Sequence, residues 1–182
     1  MEYGAVCCTD RGIMKKVNQD SACVMIADTE DGQVCMALLC DGMGGFSFGE
    51  CASFSVVDCF VDWFEHKLPH RIRDKRSLEE IGHEWQAVLT ELDVCMRKIG
   101  SEKQIKLGTT ATCMLFWKKK YLLVQSGDSR AYYIGRFISQ LSEDQSFVQK
   151  QVNSGFMTEQ EAKHHPKRNV LTDCIGGSRP SV

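Results

Sequence analysis

Apolar and polar positions change rhythm three times along these 182 residues. Near the N-terminus, short apolar runs at Ala5 to Thr9, Ser21 to Ile26 and Val34 to Cys40 predict strands. The last two are joined by Ala27-Asp-Thr-Glu-Asp-Gly32, whose Asp31-Gly32 pair is a hairpin signal, so the sheet is expected to be antiparallel. From Gly49 the period lengthens. Ala52, Val56, Cys59, Phe60 and Trp63 share one helical face, and Leu78, Ile81, Trp85, Leu89, Leu92, Met96 and Ile99 mark a second, longer helix. Pro69 and the basic run HRIRDKR from His70 read as a solvated loop between the two rather than a phosphate-binding patch. Alternation then returns at Thr109 to Phe116, Tyr121 to Ser126, Arg130 to Ile134 and Phe137 to Leu141, a meander with an exposed turn at Lys118 to Lys120. The closing stretch predicts a helix in SEDQSFVQKQVNSG capped by Ser142, a capping box at Thr158 to Glu161, and a loop around Pro166. Strands, two helices and strands again predict an α+β domain in which helices cover sheets.

Composition narrows the possible functions. Twenty-two basic residues against 24 acidic ones leave a net charge of −2, too balanced for a protein that wraps nucleic acid by neutralising phosphates. No run of about 18 apolar residues occurs, and MEYGAVCCTDRG has no basic region leading into an apolar core, so neither a membrane span nor a signal peptide is expected and the cytoplasm is the expected location. The length suits one domain with a real core. Ten cysteines sit mostly inside apolar runs and form no CxxC, which predicts reduced, structural thiols rather than bridges or a zinc site.

The chemistry concentrates in LLCDGMGGFSFGE, residues 38–50. An aspartate followed by glycine at a strand end offers a hard divalent cation a carboxylate oxygen and a close backbone carbonyl, from Asp41 and Gly42. The same stretch is also compatible with a plain turn in which Asp41 bonds locally. Other segments add acids. DRGIMKKVNQDS places Asp10, Gly12, Lys15, Asn18 and Asp20 in a loop, with Asp20 opening the strand beside that of Asp41, so that two carboxylates face one cation. SGDSRAYY puts Asp128 in a tight turn between two later strands.

DGMGG, GTTAT, GDSRAYY, LSEDQS and HPKRNVLT, in this order over about 160 residues, resemble the bacterial branch of the metal-dependent serine/threonine protein phosphatases, type 2C. The resemblance implies an antiparallel β-sandwich flanked by helices, two Mn²⁺ or Mg²⁺ ions between the sheet ends, and hydrolysis of phosphoserine and phosphothreonine by a metal-activated water without a phosphoenzyme. Carried over to this chain, Asp41 bridges both metals, Gly42 lends its carbonyl, Asp20 stands near one metal, and Asp128 belongs with a third, weaker ion. The arginine that clamps substrate phosphate in the family is Lys15 here, and a point charge on a flexible stem grips phosphate less well than a planar fork. Lys16 is a second candidate for that role. Met43 occupies the position where some relatives carry a histidine as candidate general acid. Residues of about 145–168 correspond to the flap that helps choose phosphoprotein substrates, which a cognate serine/threonine kinase supplies.

The family pattern continues beyond CIGGSRPSV with SDG and DN segments that bring two more metal-binding aspartates, so the 182 residues are expected to be a fragment of one catalytic domain. The alternative expectation, from a different class, is a catalytically inactive phosphatase-like module that binds phosphoproteins or regulates a partner.

Overall fold

The computed structural model of the chain describes residues 2–43 and 48–177. Gly44 and Gly45 of the DGMGG run, and the last residues of CIGGSRPSV, lie outside them. Four antiparallel strands form the central sheet, β1 (Asp20–Ala27), β2 (Val34–Asp41), β3 (Ala111–Trp117) and β4 (Lys120–Ser126), in that spatial order. Between β2 and β3 the chain makes α1 (Gly49–Asp62), a π-helical turn (Trp63–Lys67), α2 (Leu68–Arg73) and the long α3 (Leu78–Lys103). A two-stranded ribbon, β5 (Tyr132–Ile134) and β6 (Ile138–Gln140), and two short helices, α4 (Phe147–Asn153) and α5 (Glu159–His164), follow. The expected α+β class is what is seen.

Side-chain alternation decides which face of the sheet is buried. Val34, Met36, Leu38 and Cys40 of β2, with Ala111, Cys113, Leu115 and Trp117 of β3, point to the helices and are all buried. They meet Ala52, Val56 and Phe60 of α1, and Ile81, Trp85 and Leu89 of α3. Trp85 is fully buried and receives the edges of Phe60 and Trp63 at ring separations of 5.1 and 5.2 Å. Leu122 of β4 lies against Gly82 of α3, where an added Cβ would come within 3.0 Å of it, so the helix rests close on the sheet. The opposite face carries Ala22, Val24, Leu39, Met114, Phe116 and Leu123, and there Ile26, Leu39 and Tyr121 are 40%, 45% and 50% exposed. All six residues of the β5–β6 ribbon are exposed, so the ribbon is not a layer on that face.

Three local expectations are corrected. Ala5 to Thr9 forms no strand; Val6 is 94% exposed and Cys7 and Cys8 are exposed, because four small apolar positions with no ladder partner cannot offset the entropy of ordering them. Pro69 does not end the helix. It falls in the first turn of α2, where its missing N–H breaks no helical bond, and helix continues through the basic run to Arg73. Arg71 there donates two bonds to Glu84 of α3 at 2.7 and 2.8 Å, clamping α2 to α3. The helix in SEDQSFVQKQVNSG is capped by Ser146 rather than Ser142, since Ser142 is buried and accepts the Ala131 N–H. The Thr158–Glu161 capping box is present as expected, as is one at Ser77–Glu80.

Candidate metal centre

Register places the two acids. β1 and β2 pair so that Asp20 lies directly opposite Asp41 at one end of the sheet, both on the face away from the helices. The chain leaves β2 through Gly42, whose N–H donates to the Gln19 carbonyl at 3.0 Å. A Cβ at position 42 would collide with that carbonyl and with the backbone of Gly49, so only glycine lets the start of α1 sit this close. Ser53 of α1 ties the same spot, donating to the Gln19 carbonyl at 2.7 Å and meeting Ser21 at 2.9 Å. The positive end of the α1 dipole therefore lies beside the strand ends that carry the carboxylates.

The backbone of Asp41 is held from the β3 side. Its N–H donates to the Thr110 hydroxyl at 3.0 Å, and its carbonyl accepts from the Thr110 N–H at 2.9 Å and the Thr109 hydroxyl at 3.1 Å. Thr109 and Thr110 are buried. Within the GTTAT stretch, then, the first two threonines are braces. Gln145 braces the turn that carries Asp128: it accepts the Gly127 N–H through Oε1 at 2.8 Å and donates its own N–H to the Gly127 carbonyl at 2.9 Å. Arg130 grips Asp144 with two bonds of 2.7 Å, which keeps Asp144 occupied beside that turn. Sequence reasoning singled out the threonines and Gln145 only as motif members; the sign that they brace the site is that GTT and LSEDQ each supply short polar side chains next to a strand end.

Burial pushes the Asp41 carboxyl up to about 6, and the charge and hydrogen bond of Asp20 and the charge of Asp128 push in the same direction, while Lys15 opposes them. Three sequence-predicted residues thus act on the fourth. Asp128 is itself raised, chiefly by burial. Lys15 and Lys16 both lie on the exposed loop before β1, and it is the charge of Lys15 that Asp41 feels. The loop is shaped by Asp10, which accepts the Gly12 N–H at 2.7 Å, and by Asn18, which accepts the Asp20 N–H at 3.1 Å. Met43 packs its terminal methyl against Gly108 and Gly177.

Among the described residues, no three His, Cys, Asp or Glu side chains converge closely enough to enclose an ion by themselves. In kind, the donors nonetheless fit a hard divalent cation: two facing carboxylates, a third acid within electrostatic reach, and the backbone of Gly42. The facing charge of Asp20 helps push Asp41 toward holding its proton, and a cation between two such carboxylates would relieve their repulsion more fully than a proton does. All ten cysteines are free thiols, and burial raises Cys40, next to Asp41, far out of the reactive range. His165 lies against the Phe147 ring and accepts the Lys167 N–H, and His66 sits by Asp62 on the outside of the helix, so neither reaches the acids.

Comparison with known proteins decides the family. The profile described as Protein phosphatase 2C matches residues 12–175. The chain belongs to the protein phosphatase 2C family. A serine/threonine phosphatase, stp, of Listeria welshimeri is 29% identical over 184 residues, covering 92% of this chain and 65% of that protein. The chain therefore spans about two thirds of the length of that curated relative. The structure of the Streptococcus agalactiae serine/threonine phosphatase superposes with a TM-score of 0.78 at 30% identity, covering 95% of this chain and 69% of that one. The catalytic domain of the serine/threonine protein phosphatase PstP, solved in complex with two manganese ions, superposes with a TM-score of 0.62 at 28% identity, covering 92% and 64%. As a protein phosphatase 2C member, the chain shares its order of strands and helices with bacterial enzymes of that kind. No helix among the described residues is long and apolar enough to cross a membrane.

Proposed function

We propose that this protein is a metal-dependent phosphatase acting on phosphoserine and phosphothreonine in cytoplasmic proteins phosphorylated by a cognate serine/threonine kinase. The observation that carries the reading is the Asp20–Asp41 pair at adjoining strand ends, with the charges of Asp128 and Lys15 within reach. The manganese ions held by the PstP relative support it. In this reading Asp41 and Asp20 are the carboxylate ligands of two Mn²⁺ or Mg²⁺ ions, the Gly42 carbonyl joins them, and Asp128 serves a third, weaker site. When bound, the ions acidify the attacking water and neutralise the phosphate oxygens. Lys15, and Lys16 beside it, meet the substrate phosphate from the exposed loop. Met43 offers no proton to the leaving alcohol, which takes it from water or from another residue. Residues of about 145–168, containing α4 and α5, form the flap of a single catalytic domain and contact the protein substrate.

Release of phosphate from a phosphothreonine peptide by the full-length protein should require Mn²⁺ or Mg²⁺ and disappear in Asp41→Asn. A full-length protein that releases no phosphate at any divalent-ion concentration would overturn the reading, and retention of phosphopeptide binding in that case would instead mark a binding module.

A further inference from the structure

Asp41 and Asp128 come from different hairpins, yet the charge of Asp128 reaches Asp41, so something must fix the spacing between the two segments. The Gly127–Ser129 turn is held on its outer side by Gln145, and on its sheet side by Thr112 and Gln125, which donate to the Ser129 carbonyl at 3.1 and 2.8 Å. Of these only Thr112 adjoins β2, as the partner of Leu39 two residues short of the acid, and none bonds to Asp41. The connection runs through Thr110, which is 2% exposed. Its hydroxyl accepts the Asp41 N–H at 3.0 Å and lies 2.8 Å from the Ser129 hydroxyl. Its methyl carbon stands where any Cβ on Gly127 would have to go, and Gly127 has a φ of +109° that only glycine adopts without strain. One side chain thus touches the backbone of the first acid's strand with one group and the second acid's turn with two.

A hydroxyl has one proton and two lone pairs, so accepting from Asp41 leaves Thr110 free to complete a second bond with Ser129. Both bonds are part-buried and meet at the buried Thr110 hydroxyl, where a lost partner is not readily replaced by water. Resting on the metal reading given above, we propose that Thr110 is a positioning residue that couples the Asp41 strand end to the Asp128 turn and so sets the separation of these two acids of the metal centre. Threonine is suited to the role in two ways: its hydroxyl fastens β2 and Ser129, and its methyl holds the Gly127 backbone at a fixed distance.

The experiment compares Thr110→Val, which keeps the shape and removes the hydroxyl, with Thr110→Ser, which keeps the hydroxyl. Free Mn²⁺ is counted by electron paramagnetic resonance during titration of the full-length protein, and amide hydrogen exchange is read at Gly127, Asp128 and Ser129. Expected for Thr110→Val is Mn²⁺ affinity weaker by about tenfold, the worth of one shielded hydrogen bond, and about tenfold faster exchange in the turn. Thr110→Ser should stay within about twofold of the parent on both counts. Equal losses in the two variants would overturn the coupling role in favour of simple packing, as would unchanged exchange in Thr110→Val. Absence of Mn²⁺ binding by the parent protein would overturn the metal reading instead, and the exchange comparison alone then decides on Thr110.

Discussion

The two ends of β2 follow opposite rules. At Val34 the strand is fully buried and faces Ala27 across the ladder, and the adjoining turns are closed by complementary groups: Thr29 and Gly32 exchange backbone bonds, and Lys118 pairs with Asp31 at 2.7 Å. At Asp41 the strand faces a like charge, half in water, with a third acid nearby. Like charges directly opposite in a sheet destabilise it, so the second end gives up stability that the first end keeps. What differs is where the compensating charge comes from: the chain supplies it at one end and, in the proposed reading, leaves it to a cation at the other.

The largest effect should come from breaking what both ends share. Trp85→Ala removes the ring on which Phe60 and Trp63 pack and should lower unfolding free energy by about 3–5 kcal/mol in urea titrations. Next is Gly42→Ala, where the new methyl meets the Gln19 carbonyl and the Gly49 backbone; a loss of about 1–3 kcal/mol is expected, together with weaker Mn²⁺ binding, since relief of the clash must move the site.

Asp41→Asn should go the other way in the metal-free protein. The folded carboxyl holds its proton up to about 6 and the unfolded one only to about 4, so folding is favoured most below pH 4 and loses that advantage as pH rises through 6. Asparagine carries no charge to repel, so the variant should be more stable than the parent at pH 8 by about 1 kcal/mol after allowance for solvent screening, with the gain shrinking to nothing below pH 4. Thermal unfolding in chelator across that range checks it, and an equal gain at pH 3.5 and pH 8 would remove electrostatics as the cause. The smallest effect belongs to the far end. Lys118 and Lys119 form the two-residue turn between β3 and β4 with φ of +50° and +61°, which lysine adopts only under strain. Lys119→Gly should raise stability by about 0.5 kcal/mol and leave Mn²⁺ affinity unchanged.

Much of this contrast was legible before any coordinates. The Asp31-Gly32 turn and the alternation of β1 and β2 set a register that puts Asp20 opposite Asp41, and the helical faces from Ala52 and Leu78 were readable because a 3.6-residue period over many turns is hard to mimic. Pro69 misled because a proline breaks a helix only in its interior, and whether a position is interior depends on the π-helical turn just before it, which leaves no mark on local composition. Ala5 to Thr9 had strand-like residues but no partner, and partnership is a property of the fold. The acids were visible as candidates because few residue types can serve a hard cation. The braces, Thr110, Ser129 and Gln145, were not, because hydroxyls and amides occur everywhere and only long-range geometry gives them a task.

The central claim is that the facing carboxylates of Asp20 and Asp41 form a divalent-cation site. Calorimetric titration of Mn²⁺ into the protein at pH 7.5 and pH 5 measures it directly. The account predicts saturable binding at the higher pH, weaker binding at the lower one as protons compete for Asp41, and no binding in Asp41→Asn. Binding that is indifferent to pH and survives Asp41→Asn would place the ion elsewhere and contradict the account.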